Sequence, residues 1–167
     1  MESALKQNQG FTLVELVMVI LLVTILSAFA ISRSSDRQGY LNNIVVNQLI
    51  SAGRLAQQTA LSRASYNTAS ANVSLNVAVV SGEWRFRIAG GDGETFDTLV
   101  EQGDERIFSG SNFSAACSSL TPAPFTINFD GDGNRSPASN LRICINSDVV
   151  TELCISPAGY IYRGACL

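Results

Sequence analysis

The residues of this sequence that could do chemistry are carboxylates, cysteines and a few polar side chains near the N-terminus. No histidine occurs among the 167 residues, which removes the most frequent general base and the usual zinc and non-haem iron ligands. The net charge is −3, and Lys6 is the single lysine among 11 basic side chains, so a broad cationic field for nucleic acid is absent. No paired acid and base stands out, and we expect neither enzymatic activity nor a cofactor.

The most distinctive carboxylate is Glu15, which lies inside an otherwise uncharged run. Residues 11–31 read FTLVELVMVILLVTILSAFAI, and the other side chains in this run are apolar or small hydroxyls. As a helix rising about 1.5 Å per residue, the run is roughly 30 Å long, which matches the hydrocarbon core of a bilayer. A carboxylate at mid-membrane costs about 2.5–3.5 kcal/mol on insertion scales, so Glu15 needs a partner.

The boundary before this run carries a motif. Residues 9–16 read QGFTLVEL, after a short polar leader, residues 1–10, that ends in Gly10. This boundary resembles the cleavage and methylation motif of type IV prepilins and type II secretion pseudopilins. The resemblance implies cleavage after Gly10 by the prepilin peptidase, N-methylation of Phe11, and assembly with other pilin subunits through an inner-membrane assembly platform. It also implies that Glu15 acts in assembly.

Cleavage would create a cationic amine on Phe11, four residues before Glu15 and therefore on the same helical face. We expect the carboxylate to pair with this amine, within one subunit or between neighbours, and so to set the axial stagger of a filament. The precursor is then expected to be a single-pass protein of the bacterial inner membrane, surrounded by lipid, with its C-terminal domain outside the cytoplasm. After processing it joins a pilus on the cell surface.

Two other interpretations of the apolar run stay open. One is a plain signal anchor in which the Glu15 side chain reaches the membrane surface. The other is secretion after cleavage at Ala28-Phe29-Ala30, which looks like a signal-peptidase site and would leave Ile31 as the first residue. The length of the run, the single basic side chain of the leader and the position of Glu15 favour the prepilin interpretation.

The elements that follow the run predict the fold. Apolar side chains recur at helical spacing through residues 32–65, which predicts an amphipathic continuation of the helix. No proline precedes Pro122, so we expect one long helix from residue 11 to about residue 65. Residues 73–79 and 83–88 then alternate in polarity around Ser81-Gly82, which predicts a β-hairpin.

Further short strands are predicted along the rest of residues 66–167. The predicted fold class is therefore α+β: a long N-terminal helix, apolar in its first half and amphipathic in its second, followed by a mostly antiparallel β-sheet domain outside the cytoplasm. This layout is that of the type IV pilin fold, which the resemblance implies.

Two C-terminal segments refine the resemblance. Residues 129–134 and 155–160 look like the hairpin pattern of minor pilins and H-type pseudopilins, and residues 52–63 of the helix also favour a minor subunit. The sequence resembles most a C-type minor pilin of the mannose-sensitive haemagglutinin pilus system. The resemblance implies a minor subunit that serves adhesion or pilus biogenesis, with an H-type pseudopilin of a type II secretion system as the alternative.

The cysteines lie in the last third of the chain, at Cys117, Cys144, Cys154 and Cys166. None forms a Cys-x-x-Cys pair, and an even number in an exported domain predicts two disulfides. Four cysteines permit three pairings. We favour Cys144 with Cys154 across a hairpin and Cys117 with Cys166 at the tail.

One polar cluster resembles the start of a calcium loop. Asp130, Asp132 and Asn134 alternate in an Asp-Gly-Asp-Gly-Asn stretch and could offer oxygen ligands. An EF-hand would need glycine at Arg135 and glutamate at Leu141, so we interpret the stretch as a glycine-rich turn, with calcium as the alternative and no other metal expected.

Two further groups could serve as binding surfaces. Tyr160, Tyr162 and Arg163 combine aromatic rings with a cation and are candidates for stacking on DNA bases, although sheet packing is the simpler interpretation and nucleic acid is not an expected partner. Residues 92–105 contain six acidic side chains. We interpret them as a solvated loop, or alternatively as a surface that meets a basic patch of a neighbouring pilin.

Overall fold

The computed structural model describes most of the chain: residues 12–34, 37–64, 72–101, 105–147 and 150–167, with side chains except at residues 28–34, 37, 38 and 101. The chain divides into two compact units, Met1–Arg37 and Gln38–Leu167.

The first unit contains helix α1 (Leu13–Ser34, 22 residues). Every described large apolar side chain of α1 is exposed, from 40% for Val17 to 80% for Leu13. Among the described residues, no helix is both long enough and apolar enough to cross a membrane.

The second unit begins within helix α2 (Arg37–Ala64, 28 residues). Its buried face follows the helical period and is built from Val45, Val46, Leu49, Ala52, Ala56 and Ala60. Small side chains on this face let the helix approach the sheets closely: a Cβ added to Gly53 would lie 3.2 Å from Ile161 Cδ1. Residues 35 and 36 are not among the described residues, so one continuous helix through α1 and α2 stays a prediction.

In the part of the chain that the structure describes, ten strands follow α2 and form two antiparallel sheets. In chain order they are β1 (Val73–Val80), β2 (Glu83–Gly90), β3 (Thr95–Glu101), β4 (Arg106–Gly110), β5 (Thr121–Pro122), β6 (Phe125–Phe129), β7 (Arg135–Ser136), β8 (Leu141–Asn146), β9 (Thr151–Ile155) and β10 (Ile161–Arg163). The first sheet has the order β3-β2-β1-β6-β7, and the second has β10-β9-β8-β4-β5.

The predicted hairpin is confirmed as β1 and β2, which pair from Val73 opposite Gly90 to Val80 opposite Glu83. Both turn residues have positive φ, 56° at Ser81 and 80° at Gly82. A two-residue turn of this hand matches the twist of the flanking strands. The α+β class is also confirmed, with two antiparallel sheets where the sequence predicted one sheet domain.

One hydrophobic core is shared by α2 and both sheets. From the first sheet it takes the alternate side chains Val73, Leu75, Val77, Trp84, Phe86, Ile88, Ile127 and Phe129. From the second sheet it takes Ile107, Leu141, Ile143, Ile145, Leu153, Ile155 and Ile161. The strands thus turn one face toward the helix, and the alternation of the sequence is the cause.

Candidate functional site

The N-terminal end of α1 carries the residues to which the sequence assigned processing and assembly. Gly10 and Phe11 lie outside the described residues. Thr12 precedes the helix, and its Oγ1 accepts a hydrogen bond from the Glu15 backbone N–H at 3.3 Å. Thr12 is therefore the N-cap and Glu15 the third helical residue, which is the Thr-x-x-Glu pattern of a capping box.

The position of Glu15 has an electrostatic consequence. The first turn of a helix leaves backbone N–H groups unpaired and carries a partial positive charge, so a carboxylate there is stabilised by about 0.3–1 kcal/mol. Glu15 is exposed and therefore open to a partner outside α1. Sequence reasoning missed the cap, although Thr12 three residues before Glu15 was a readable signal.

The hydroxyls in the apolar stretch of α1 are bonded to the helix itself. Thr24 Oγ1 donates to Leu21 O at 2.8 Å, and Ser27 Oγ donates to Val23 O at 2.7 Å. Such bonds to the preceding turn remove the hydroxyl as a free polar group. In the described part of the apolar stretch, Glu15 is then the side chain that needs a hydrogen-bond or ion-pair partner from outside the helix.

The stretch predicted as a glycine-rich turn or calcium loop is closed by its own backbone. Asp130 Oδ1 accepts the N–H groups of Asp132 at 3.0 Å and Asn134 at 2.9 Å, and Gly133 N–H donates to Asp130 O at 2.9 Å. These bonds support the turn, because one oxygen of Asp130 is already used by two donors. Calcium binding stays an untested alternative.

This turn contacts a second turn, residues 156–160, and both are hydrogen-bonded to Gln57 of α2. Gln57 Nε2 donates to Gly133 O at 3.1 Å and to Ala158 O at 2.8 Å, and Arg135 N–H donates to Pro157 O at 2.8 Å. We call residues 130–135 with residues 156–160 the turn junction. Gly159 has φ +77°, and a Cβ there would lie 2.0 Å from Gly133 O, so the close approach requires glycine.

The favoured disulfide pairing is wrong. The structure joins Cys117 to Cys144, with 5.7 Å between their Cα atoms, and Cys154 to Cys166, with 5.1 Å. The register of β8 and β9 gives the reason, since Cys144 lies opposite Glu152 and Cys154 opposite Arg142. Cys144 and Cys154 are thus diagonal neighbours, whose Cα atoms are about 7–8 Å apart in a sheet and beyond the reach of a disulfide.

Both disulfides hold a segment against the face of the second sheet that points away from the core. Cys144 fixes the loop of residues 111–120, which we call the cover loop, and Cys154 fixes the C-terminal tail. With loops of 27 and 12 residues closed, each bond is worth about 3 kcal/mol in the chain-entropy model.

Arg142 is the polar anchor of the cover loop. It is buried and donates from Nη1 to Ala115 O at 2.6 Å, and its Nη2 forms an ion pair with Glu152. The pairing supplies a partner for a guanidinium that would otherwise be costly to bury. Sequence reasoning missed both residues, because alternation marks Arg142 only as an outward-facing strand position.

The acidic stretch of residues 92–105 is only partly a loop, because residues 95–101 form β3. Three of its described carboxylates are exposed, as the interpretation of a solvated surface predicted, but they are paired with arginines of the same unit. Arg63 at the end of α2 forms ion pairs with Asp92 and, at 3.0 Å, with Glu94. Arg87 Nε donates to Asp97 Oδ1 at 2.8 Å. Hydrogen bonds from these arginines hold the pKa values of Asp92 and Asp97 below their ordinary value.

Glu105 lies at the opposite extreme, with 1% of its surface exposed. Its Oε1 accepts a hydrogen bond from the indole Nε1 of Trp84 at 2.9 Å. A buried carboxyl group needs such donors. Glu105 looked like part of the acidic surface in the sequence, and no periodicity separates it from its exposed neighbours.

The three residues considered for DNA stacking lie at the C-terminal end of the second sheet. Tyr160 is exposed, Tyr162 is half-buried, and the Nη2 of Arg163 donates to Asn47 Oδ1 of α2 at 2.8 Å. The cation is therefore engaged within the domain. Binding of nucleic acid through these residues stays an untested alternative.

Comparisons with known proteins give one motif at the N-terminus and two structures that are similar over most of the chain. Residues 5–31 match the prokaryotic N-terminal methylation motif. Two crystal structures of the type IV minor pilin FimU of Pseudomonas aeruginosa strain PAO1 are similar. One has 15% identity and a TM-score of 0.48 over 78% of this chain and 90% of that chain. The other has 16% identity and a TM-score of 0.45 over 71% and 88%. Curated proteins give no match.

The matched segment includes the predicted cleavage boundary and Glu15. The finer assignment to the mannose-sensitive haemagglutinin system stays a prediction. The chain thus carries a prokaryotic N-terminal methylation motif ahead of a helix and two antiparallel sheets, which is the layout that the resemblance implied.

Proposed function

We propose that this chain is a minor type IV pilin, cleaved after Gly10 and methylated on Phe11 by the prepilin peptidase and then assembled into a surface pilus. Before assembly it is anchored in the bacterial inner membrane by residues 11–31, with the β domain outside the cytoplasm. Its partners are other pilin subunits and the assembly platform.

The observation that carries the proposal is the chemistry at the start of α1. Glu15 lies in the first helical turn, capped by Thr12, in a matched methylation motif. Cleavage after Gly10 would place a methylated amine on Phe11, one turn away from the carboxylate. The proposal gives Glu15 the cationic partner that a carboxylate in an apolar segment needs.

The exposed apolar surface of α1 supports the same proposal. Side chains from Leu13 to Leu26 are exposed around the helix, and a helix that is apolar on all sides is stable only in lipid or among other protein chains. Lipid before assembly and neighbouring α1 helices after assembly would each cover this surface. The hydroxyls of Thr24 and Ser27, bonded to the helix backbone, suit both environments.

The test is to express the full precursor with a prepilin peptidase and an assembly system, and to compare Glu15→Ala with Thr24→Ala. Both variants remove a polar side chain from the same apolar helix, but only Glu15 is assigned a cationic partner. We expect both to be cleaved before Phe11, and only Glu15→Ala to be missing from sheared filaments by immunoblotting. Equal incorporation of the two variants would contradict the assigned role of Glu15.

The alternative as a secretion pseudopilin shares the processing step. Immunogold labelling separates the two functions, because a pilus subunit is expected on surface filaments. Labelling confined to the cell envelope of a secretion-competent strain would favour the pseudopilin.

A further inference from the structure

The edges of the two sheets differ in length. Within the described residues, three edge strands are short: β5 and β7 have two residues each, and β10 has three. The fourth, β3, has seven residues and pairs with β2 along one side. Short edges prevent unwanted pairing, whereas a long edge presents a row of unpaired backbone groups to another strand.

The hydrogen-bond phase of β3 shows which of its backbone groups bond toward β2 and which point away from it. Gly90 N–H donates to Glu94 O at 2.9 Å, so this opposed pair is of the hydrogen-bonded type. Such pairs alternate along an antiparallel ladder. Phe96, Thr98 and Val100 therefore bond toward β2, and the N–H and C=O groups of four residues point to the free edge: Thr95, Asp97, Leu99 and Glu101.

The side chains of β3 expose one large apolar residue on each face of this edge. Phe96 lies opposite Ile88 on the core side, yet 52% of its surface is exposed, and Leu99 on the other face is 51% exposed. The described charge beside them, Asp97, is held by two hydrogen bonds from Arg87 at 2.8 and 3.0 Å. Charged side chains on an edge strand normally oppose pairing with another strand, but the Asp97 charge is compensated by Arg87 of the same chain.

We propose that β3 is a self-pairing surface, on which β3 of a second copy adds antiparallel about a two-fold axis at Thr98. In this register Phe96 lies opposite Val100 of the second copy, and Asp97 lies opposite its Leu99. Thr95 lies opposite Glu101, so no like charges are directly opposed. All four outward residues gain backbone partners, and the two Thr98 residues form a pair with Cα atoms about 4.5 Å apart.

Neighbouring registers are less favourable. A shift that keeps the same faces together moves the axis to Asp97 or to Leu99. The first places Asp97 opposite itself, and the second places it opposite Glu101, and like charges directly opposed destabilise a sheet. A shift by a single position matches an outward residue with one that bonds toward β2, so the ladder cannot form. Among the registers in which β3 pairs with a copy of itself, the charge pattern thereby favours the Thr98 axis, in which Asp97 and Glu101 each lie opposite an uncharged residue.

This inference concerns the unit Gln38–Leu167 and does not depend on N-terminal processing. The first experiment is oxidative cross-linking of the full chain in detergent with Thr98→Cys, and Thr95→Cys as the matched control on the same strand. The four native cysteines are all in disulfides, so each variant has one free thiol. We expect a covalent dimer with Thr98→Cys alone, because the two Thr95 positions are roughly 20 Å apart in this register.

A pair of charge variants tests the register independently. Leu99→Glu places an acid opposite Asp97 of the second copy and is expected to weaken the dimer about 2- to 30-fold, since two cross-strand pairs change. Leu99→Lys places a cation there and is expected to retain or strengthen the dimer. Within one chain the two variants should have the opposite ranking in stability, because Leu99 lies opposite Arg85, which attracts glutamate and repels lysine. The dissociation constant of the dimer, measured by analytical ultracentrifugation, therefore distinguishes an effect on pairing from an effect on folding.

Three results would overturn the proposal. They are equal cross-linking of Thr98→Cys and Thr95→Cys, a Thr98→Cys adduct with a different protein in place of a dimer, and a shift of the dissociation constant in the same direction by both Leu99 variants. Dimer formation specific to Thr98→Cys, with opposite shifts for the two Leu99 variants, supports it.

Discussion

Replacing Gly159 with alanine is expected to open the turn junction. The added Cβ would lie 2.0 Å from Gly133 O and 2.8 Å from Gln57 Nε2, so a backbone carbonyl must move. Alanine at a positive φ costs roughly 1–2 kcal/mol, and forced overpacking costs about 1–3 kcal/mol more. The free energy of unfolding should fall by about 2–5 kcal/mol, which lowers Tm by about 8–20 °C for a domain of this size.

The control is Gly82→Ala in the β1–β2 turn. Gly82 has φ +80°, and a Cβ there meets nothing within 4 Å, so this variant carries the backbone cost without the clash. Thermal unfolding is followed by fluorescence of Trp84, the single tryptophan, which is buried. If Gly159→Ala destabilised the protein no more than Gly82→Ala, the close packing of the two turns would be refuted.

The remaining predictions concern three other contacts. Gln57→Leu leaves two turn carbonyls without their donor, and chemical denaturation should show a loss of about 1–3 kcal/mol; an unchanged midpoint would contradict the contact. Trp84→Phe removes the indole donor of one hydrogen bond to Glu105, with an expected loss of about 1–3 kcal/mol measured by circular dichroism. Arg87→Gln should raise the pKa of Asp97 in a carboxyl NMR titration, because the Arg87 hydrogen bond lowers it. Because the pKa of Asp97 is lower in the folded than in the unfolded protein, ionised Asp97 stabilises the fold at pH values above the unfolded pKa. The difference in stability between wild type and Arg87→Gln should therefore shrink as the pH falls below about 4.

Local patterns were sufficient to predict α2 and the β1–β2 hairpin, but not β3, whose acidic residues we interpreted as a solvated loop. The β1–β2 hairpin followed from alternation around Ser81-Gly82, and the buried face of α2 followed from its helical spacing. The assignment of strands to two sheets did not follow, because the pairings of β1 with β6 and of β4 with β8 join distant segments. Such contacts depend on the whole chain and leave no local signal.

Features that are contiguous in the chain could be proposed from the sequence, whereas features that depend on strand register or burial were missed. The motif around Gly10, Phe11 and Glu15 is contiguous, so the sequence displays it directly. Pairing of the cysteines required the β8–β9 register, in which Cys144 faces Glu152. The burial of Glu105 required knowing that Trp84 packs beside it.

The central claim is that the chain is a processed pilin whose α1 helix begins next to a newly exposed amine. The measurement that tests it most directly is the intact mass and N-terminal peptide of the protein from cells that contain a prepilin peptidase. We expect a chain that begins at Phe11 with one added methyl group. A mature chain that begins at Ile31, or a precursor that keeps residues 1–10, would contradict the claim.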